Sequence, residues 1–276
     1  MPDPRPIGVF DSGIGGLTVL SALVEELPGE DILYLGDTAR VPYGTRSPET
    51  VLRYARRVSN DLWQRGIKAL IIACNTASSH ALEPLRAAGK EAGIPVFGVI
   101  EPGVQAATNA THNQHVGVLG TEATIRGQRY QDSLRAAGIE VQAIACPLFV
   151  ALAEEGWASD PVAIAVASRY LDSLKGGPDT VILGCTHYPL LRDAIAEVLP
   201  GVNLVDSAHA TARVVRSVLQ DHALENARTS GGGTHFLVTD NVERFKRVGS
   251  QFLGRTPTPV ELIDLDAPAG LFAEES

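Results

Sequence analysis

The stretch Ala69-Leu70-Ile71-Ile72-Ala73-Cys74-Asn75-Thr76 sets the organisation of the chain, because the later stretch Thr180-Val181-Ile182-Leu183-Gly184-Cys185-Thr186 has the same form. Each runs an apolar segment typical of a buried strand into a cysteine, which small hydroxyl or amide residues follow at once. A second pair of segments also matches, namely Gly8-Val9-Phe10-Asp11-Ser12 and Gly117-Val118-Leu119-Gly120-Thr121. The number of residues between these two segments is nearly the same as the number between the two cysteines. The sequence therefore indicates a diverged duplication with one thiol in each half.

Short apolar segments alternate along the chain with Ala-rich segments of helical spacing, a pattern typical of repeated βα units. The predicted strands are Ile7–Phe10, Asp31–Leu35, Ala69–Ala73, Val96–Ile100, Val116–Leu119, Glu140–Ala145, Thr180–Leu183 and Asn203–Val205. Because their apolar character is continuous, we expect strands buried on both faces, in mostly parallel sheets flanked by helices. Active residues should then follow the carboxyl ends of the strands. The candidates there are Asp11, Ser12, Asp37, Cys74, Glu101, Thr121 and Cys185.

The composition is that of an ordinary globular protein, with 45% hydrophobic and 20% charged residues over 276 residues. The length and the internal repeat favour two lobes. No apolar run approaches the roughly 18 residues that span a bilayer, and the first residues lack a signal-peptide pattern. We therefore expect a cytoplasmic protein with no membrane partner. A net charge of −9 without a Lys/Arg cluster predicts no nucleic-acid partner.

Cys74 and Cys185 are the candidate reactive groups. A lone cysteine after an apolar strand is more often a buried small residue, but the repetition at matched positions favours function. Two thiols that face each other across a cleft can remove a proton from one side of a tetrahedral carbon and return one to the other, which inverts a stereocentre. Cys146 precedes Pro147 without such neighbours, and we interpret it as structural. Three cysteines without short spacing also argue against a disulfide framework.

The two thiols are expected to differ in protonation. His187 is two residues from Cys185, where an imidazolium would favour the thiolate or bind the substrate. Near Cys74, the carboxylate of Asp11 would raise the pKa of the thiol and keep it protonated. A two-base reaction needs one group of each kind at any instant. Zinc is the rival partner of His187, but the ligand spacings of structural zinc are absent, and we expect no metal.

Two polar loops are candidate binding segments. Asp11-Ser12-Gly13-Ile14-Gly15-Gly16 opens a helix predicted over Leu17–Leu27, so its N–H groups could receive an anion, or Asp11 could simply cap that helix. Thr18 stands where a dinucleotide fingerprint needs its third glycine. The loop from Asp37 to Gly44 could bind a carboxylate through Tyr43 and Gly44, or be a surface turn. Ser230–Gly233 is predicted as a flexible break and Asp264–Ser276 as a tail.

No cofactor is expected. A pyridoxal enzyme requires a lysine that forms a Schiff base. The four lysines, which lie away from every strand-end loop, are Lys68, Lys90, Lys175 and Lys246.

Four motifs together resemble the bacterial glutamate racemases of the aspartate/glutamate racemase superfamily, from about Ile7 to about Thr211. They are Phe10–Val19, Gly36–Gly44, Ala73–Ala77 and Gly184–Leu191. The resemblance implies cofactor-independent racemisation of L-glutamate to D-glutamate for peptidoglycan. It also implies two pseudo-symmetric α/β lobes that enclose the site in the cleft between them. The first is expected over residues 1–98 plus 208–276, completed by the C-terminal helices, and the second over 99–207. Members usually form homodimers.

The same resemblance assigns site residues by position. The implied catalytic group is Cys74, Cys185, Asp11, His187 and Glu154. The implied contacts to the glutamate substrate are Asp11, Ser12, Tyr43, Gly44, Asn75, Thr76, Thr121, Thr124, Thr186 and His187. It further implies that Cys185 deprotonates the L isomer and Cys74 the D isomer. One departure from the family pattern is Gly127, where a serine is expected.

Three other functions stay open from the sequence. The paired thiols could racemise aspartate or a hydantoin. Cys185 with His187 could form a cysteine hydrolase, which would give a trappable acyl-enzyme and leave Cys74 without a role. The chain could also be a non-catalytic partner protein, since some glutamate racemases are reported to inhibit DNA gyrase.

Overall fold

The structure, a computed structural model, describes residues 2–265, and these form two β-sheets with helices on both faces. The strands of the first sheet are β1 (Ile7–Asp11), β2 (Ile32–Gly36), β3 (Ala69–Ile72), β4 (Val96–Gly98), β9 (Thr234–Val238) and β10 (Val260–Leu262). The strands of the second sheet are β5 (His115–Gly120), β6 (Glu140–Ala145), β7 (Thr180–Gly184) and β8 (Asn203–Val205).

The two sheets repeat one topology. The first sheet has the order β10-β9-β2-β1-β3-β4, and the second has the order β6-β5-β7-β8. All described strand pairs are parallel. The segment β2-β1-β3-β4 therefore corresponds strand by strand to β6-β5-β7-β8, and the predicted α/β class is confirmed. Cys74 follows β3 and Cys185 follows β7, which occupy equivalent places in the two sheets.

Eleven helices of the described residues cover the sheets. They are α1 (Leu17–Glu26), α2 (Pro48–Gln64), α3 (Asn75–Ala92), α4 (Ile100–Ala110), α5 (Glu122–Arg126), α6 (Arg129–Ala136), α7 (Leu148–Glu154), α8 (Pro161–Leu171), α9 (Arg192–Val198), α10 (Ala208–Asp221) and α11 (Val242–Leu253). The helices α1, α10 and α11 pack on one face of the first sheet, and α2 and α3 on the other. The helices α4 and α6 cover one face of the second sheet, and α7, α8 and α9 cover the other. Each sheet with its helices is called the first-sheet half or the second-sheet half below.

The central strands are buried on both faces, as predicted, whereas the edge strand β6 is partly exposed along its whole length. In β1, Val9 points into one core and Phe10 into the other. In β5, Val118 and Leu119 divide in the same way. Alternate side chains of a strand point to opposite faces, so each strand contributes to two cores at once.

The structure corrects the sequence prediction in three places. The segment Val96–Ile100 is not all strand, because α4 begins at Ile100 and Pro102 in its first turn suits a helix start. The strands β9 and β10 were not predicted. The first residues of the predicted tail are packed against the protein, since Leu265 is 7% exposed and belongs to the core of the first-sheet half. The rest of that tail, residues 266–276, lies outside the described residues. The predicted break Ser230–Gly233 is an exposed segment that leads into β9.

In residues 2–265 there is no helix with both the length and the apolar character needed to cross a membrane. The same residues contain no group of three or more His, Cys, Asp or Glu side chains arranged to hold a metal ion.

Candidate active site

Cys74 lies at the carboxyl end of β3 and forms the N-cap of α3. Its sulfur accepts a hydrogen bond from Ala77 N at 3.4 Å, and its S–H points to Ser12 Oγ at 3.6 Å. Burial, and then the charge of Asp11, raise the pKa of the Cys74 thiol to about 12, although both hydrogen bonds act in the opposite direction. Cys74 is therefore a protonated thiol at neutral pH, as the sequence predicted from Asp11.

Asp11 ends β1 and is fully buried. Its Oδ2 accepts a hydrogen bond from Gly13 N at 2.9 Å, while Oδ1 has no hydrogen-bond partner among the described residues. Burial raises the pKa of Asp11, and the positive charge of His187 partly offsets this. The N-cap position of α1 is Gly16, whose N–H also hydrogen-bonds to the Asp11 carboxylate, so Asp11 interacts with the start of that helix without occupying the N-cap position. Asp11 also keeps one buried oxygen available to a ligand.

The glycine loop after β1 packs directly on the segment that follows Cys185. A Cβ atom at Gly15 would overlap the side chains of Thr186 and His187. In addition, Thr18 Oγ1 donates a hydrogen bond to Thr186 O at 3.2 Å. Glycine is needed at position 15 because only a hydrogen atom fits there. The loop thus brings the surroundings of Asp11 and Cys185 together.

Cys185 lies in a bend after β7 and is 6% exposed. The next helical element is a short 3₁₀ turn, Tyr188–Leu191. His187 lies beside the thiol, with its Nδ1 3.8 Å from Cys185 Sγ. The imidazole is therefore close enough to interact with this thiol.

His187 links Cys185 to Glu154. Its Nε2 lies 3.0 Å from Glu154 Oε1, and Arg244 Nη2 donates to Glu154 Oε2 at 2.9 Å. Burial alone would lower the pKa of His187, but the hydrogen bonds with Cys185 and Glu154 outweigh it and raise the pKa to about 10. Each ring nitrogen has an acceptor, an arrangement that an imidazolium satisfies fully. Burial likewise opposes ionisation of Glu154, yet His187 and Arg244 lower its pKa.

The polar side chains next to Cys74 contact residues from the other half. Tyr130 of α6 donates a hydrogen bond to Asn75 Oδ1 at 2.7 Å. Thr76 Oγ1 lies 2.9 Å from Thr121 Oγ1 and 3.2 Å from Thr124 Oγ1. All three threonines are thus joined across the two halves. Gly44 also packs closely against Thr121, since a Cβ at position 44 would lie 2.8 Å from Thr121 Cβ.

Tyr43 is buried, and its hydroxyl donates to Asp37 Oδ2 at 2.6 Å. Thr239 Oγ1 and Arg40 Nη1 each contact Asp37 Oδ1 at 2.9 Å. Asp37 and Tyr43 therefore form a buried network rather than a surface turn. The Tyr43 hydroxyl, which the sequence suggested as a donor to a substrate carboxylate, therefore donates to the carboxylate of Asp37 in this structure.

Two strand-end residues lie apart from this cluster. Glu101 is exposed on α4 and pairs with Arg86 Nη2 at 2.8 Å. Cys146 is buried with its sulfur 3.8 Å from Ile144 O, and burial raises the pKa of its thiol to about 12. These surroundings agree with the structural interpretation of Cys146.

Sequence reasoning did not find Arg244 and Tyr130. Arg244 is separated from its partner Glu154 by 90 residues, and Tyr130 from its partner Asn75 by 55. Neither stands in a strand-end motif, and no local pattern around them signals the contact.

Both thiols are closed off from solvent, with Cys74 5% and Cys185 6% exposed. A cavity of about 130 Å³ lies beside the Glu154–Arg244 pair, and neither thiol lines it. Both thiols are therefore shielded from water.

The chain is similar to known proteins over nearly its whole length. The Asp/Glu/Hydantoin racemase family model matches residues 7–215. A glutamate racemase of Geobacter metallireducens is 49% identical over 267 residues, 95% of this chain and 98% of that protein. The crystal structure of glutamate racemase from Francisella tularensis in complex with D-glutamate has a TM-score of 0.90 at 40% identity, over 96% of this chain and 100% of that one. The glutamate racemase structure from Thermus thermophilus in complex with β-chloro-D-alanine has a TM-score of 0.86 at 44% identity, over 96% and 99%.

Proposed function

The chain belongs to the Asp/Glu/Hydantoin racemase family and is an isomerase, and within that family we propose that it interconverts L-glutamate and D-glutamate through Cys74 and Cys185. The observation that carries the proposal is the pair of buried thiols at equivalent strand ends, in opposite electrostatic surroundings. Cys74 lies beside the carboxyl group of Asp11, and Cys185 lies beside the imidazole of His187. One thiol is set to give a proton and the other to take one.

In the proposed L-to-D direction, the Cys185 thiolate removes the α-proton of L-glutamate and becomes a neutral thiol. The electron pair of the broken C–H bond remains on the α-carbon. Cys74 then gives its S–H proton to the opposite face, which yields D-glutamate and leaves a thiolate at Cys74. The reverse direction uses the same steps with the thiols exchanged. Between turnovers Cys185 must lose its proton to solvent, and Cys74 must take one from solvent.

The α-carbanion needs fixed donors, because an amino-acid α-proton is very weakly acidic. We propose that the substrate α-carboxylate binds at Ser12, Asn75, Thr76 and Thr186. The unpartnered Oδ1 of Asp11 suits the substrate ammonium group, since it is a buried acceptor with no other use among the described residues. Recognition of the side-chain carboxylate is assigned to Gly44, Thr121 and Thr124, and the Tyr43 hydroxyl takes part only if it leaves Asp37 Oδ2.

The deciding measurement is the formation of D-glutamate from L-glutamate by the purified protein, after dialysis against chelator and without added pyridoxal phosphate. In D₂O the product should carry deuterium at the α-carbon. Aspartate and a hydantoin are assayed in parallel. If aspartate is turned over at a comparable rate, the proposed specificity for glutamate is wrong. A site shaped for the longer acid leaves buried donors unpaired with the shorter one, at about 1–3 kcal/mol each.

A cysteine hydrolase is the second enzymatic candidate, and only the Cys185–His187 contact favours it. Mass spectrometry of the protein after incubation with activated esters separates the two. A stable acyl group on Cys185, in a protein that does not exchange the α-proton of glutamate, would support the hydrolase instead.

We also propose that the D-glutamate made here enters peptidoglycan and that the protein works as a homodimer. Deletion of the gene should then make growth dependent on D-glutamate. Large exposed apolar side chains on α7, on α8 and between them support self-association, namely Leu148, Trp157 and Val162. Sedimentation of the wild type and of Trp157→Arg tests this, and a monomeric wild type would contradict it.

A further inference from the structure

Glu154 connects two partners through separate oxygens. His187 Nε2 lies 3.0 Å from Oε1, and Arg244 Nη2 lies 2.9 Å from Oε2. Glu154 ends α7, His187 follows β7, and Arg244 is in the first turn of α11. With both oxygens engaged, the carboxylate is restricted to one rotation about its last side-chain bond.

Arg244 is fixed to the first-sheet half, whereas Glu154 and His187 belong to the second-sheet half. Asn241 Oδ1 caps α11 by accepting from Arg244 N at 3.0 Å. Asn241 has φ 48°, a left-handed conformation that asparagine adopts more readily than most residues. The next residue, Phe245, is fully buried in the first-sheet core. The backbone at position 244 is therefore well anchored.

An ion pair of this length is of little consequence when both groups are exposed. Here the two side chains differ, since Arg244 is 38% and Glu154 only 12% exposed. A carboxylate that is largely removed from water depends on its partners to stay ionised. Arg244 and His187 are those partners, and each adds a hydrogen bond as well as a charge.

From this geometry, and on the basis of the function proposed above, we propose that Arg244 is a positioning residue. By holding Glu154 ionised and in one orientation, it keeps His187 protonated on both nitrogens beside Cys185. Arg244 thus acts on the thiol of the other half through two intermediate side chains, without contact to the reacting atoms. The remaining charged groups around Glu154 are Asp11, which acts through space, and Asp240, which lines the same cavity.

The test compares Arg244→Met, Arg244→Lys and Arg216→Met with the wild type. Arg216 is the matched control, because Arg216 Nη1 also pairs with a glutamate, Glu26 Oε1, at 2.9 Å, but on the outer surface. The first measurement is the pH profile of kcat/KM. Without Arg244 the carboxyl group of Glu154 gains its proton at higher pH, so the acid limb should move up by about 0.5 to 1 pH unit. Arg244→Lys should show less than half of that shift, and Arg216→Met none.

The second measurement does not depend on turnover. Iodoacetamide alkylation is followed at each cysteine by peptide mass spectrometry between pH 5 and 8. In Arg244→Met, the alkylation rate of Cys185 should begin to fall at a pH about 0.5 to 1 unit higher than in the wild type. Cys74 in the same sample should be unchanged.

The two measurements separate this proposal from the proposed function. If the protein does not racemise glutamate but alkylation of Cys185 is selectively slowed in Arg244→Met, the proposed role of Arg244 is supported and the proposed substrate is wrong. An unshifted acid limb with a lower plateau would mean that Arg244 is merely structural. Equal changes at Cys74 and Cys185, or an equal shift in Arg216→Met, would overturn the proposal in the same way.

Discussion

Replacing Glu154 with glutamine tests whether His187 is an imidazolium at neutral pH. The pKa of His187 is about 10, against an ordinary value near 6.5. Three to four pKa units at about 1.4 kcal/mol each correspond to roughly 5 kcal/mol in favour of the charged ring. Cys185 and Glu154 both contribute to this stabilisation of the charged ring, so removal of the Glu154 charge should remove about half of it. In Glu154→Gln we therefore expect the pKa of His187 to fall by about 2 units.

The assay is an NMR titration of the protein labelled with ¹⁵N in its histidines. The chain has seven histidines, and the spectrum of His187→Gln assigns the signals of the ring in question. Glu155→Gln is the matched control, since Glu155 is the exposed neighbour of Glu154 in the sequence.

The reasoning would be refuted by a wild-type His187 that titrates near its ordinary pKa, or by an unchanged titration in Glu154→Gln. A ring whose pKa is about 2 units lower is still mainly imidazolium at pH 7, so kcat/KM should change little there, and its loss at high pH should begin about 2 pH units lower than in the wild type. A full loss of activity with an unchanged His187 titration would instead assign Glu154 a direct contact with substrate.

The other predictions concern the thiols and the hydrogen bond behind Asn75. Cys74→Ser and Cys185→Ser should each abolish racemisation in both directions, because a hydroxyl is too weak an acid at neutral pH, whereas Cys146→Ser should retain it. With β-chloroalanine, Cys74→Ser should eliminate chloride only from the L isomer and Cys185→Ser only from the D isomer; equal loss with both isomers would contradict separate faces. Tyr130→Phe leaves Asn75 Oδ1 buried and unpaired, so calorimetry should show a loss of about 1–3 kcal/mol and kinetics a lower kcat/KM. Unchanged values would mean that water replaces the hydroxyl.

Local sequence patterns predicted the repeated part of the fold well. Most of the strands β1 to β8 are continuous apolar runs between Ala-rich helical segments, and such a run is a local signal. Of the two missed strands, β9 carries such a signal in Phe236-Leu237-Val238, whereas β10 does not. The strand β10 has three residues at the sheet edge, and its Leu262 is 61% exposed. The strand β9 pairs with β2 and was missed although its own residues favour a strand.

The candidate site was predictable as far as it depends on position along a strand. Asp11, Cys74 and Cys185 follow strands, and parallel topology places such residues at one edge. The protonation of the thiols was predictable only in outline, from the nearness of Asp11 and His187. Arg244 and Tyr130 could not be found, because their contacts arise only when the two halves pack together.

Those two contacts cross between the halves in opposite directions. Tyr130 of the second-sheet half holds Asn75 beside Cys74, and Arg244 of the first-sheet half holds Glu154 behind His187. We expect substrate entry to two buried sulfurs to separate the halves, which would lengthen both contacts together. The donors and charges that the carbanion requires would then be complete only after closure, when water is already excluded. We therefore expect glutamate to slow amide hydrogen exchange in the first turns of α3 and α11 at the same time. Protection of one of these turns without the other would show that the two contacts do not close together.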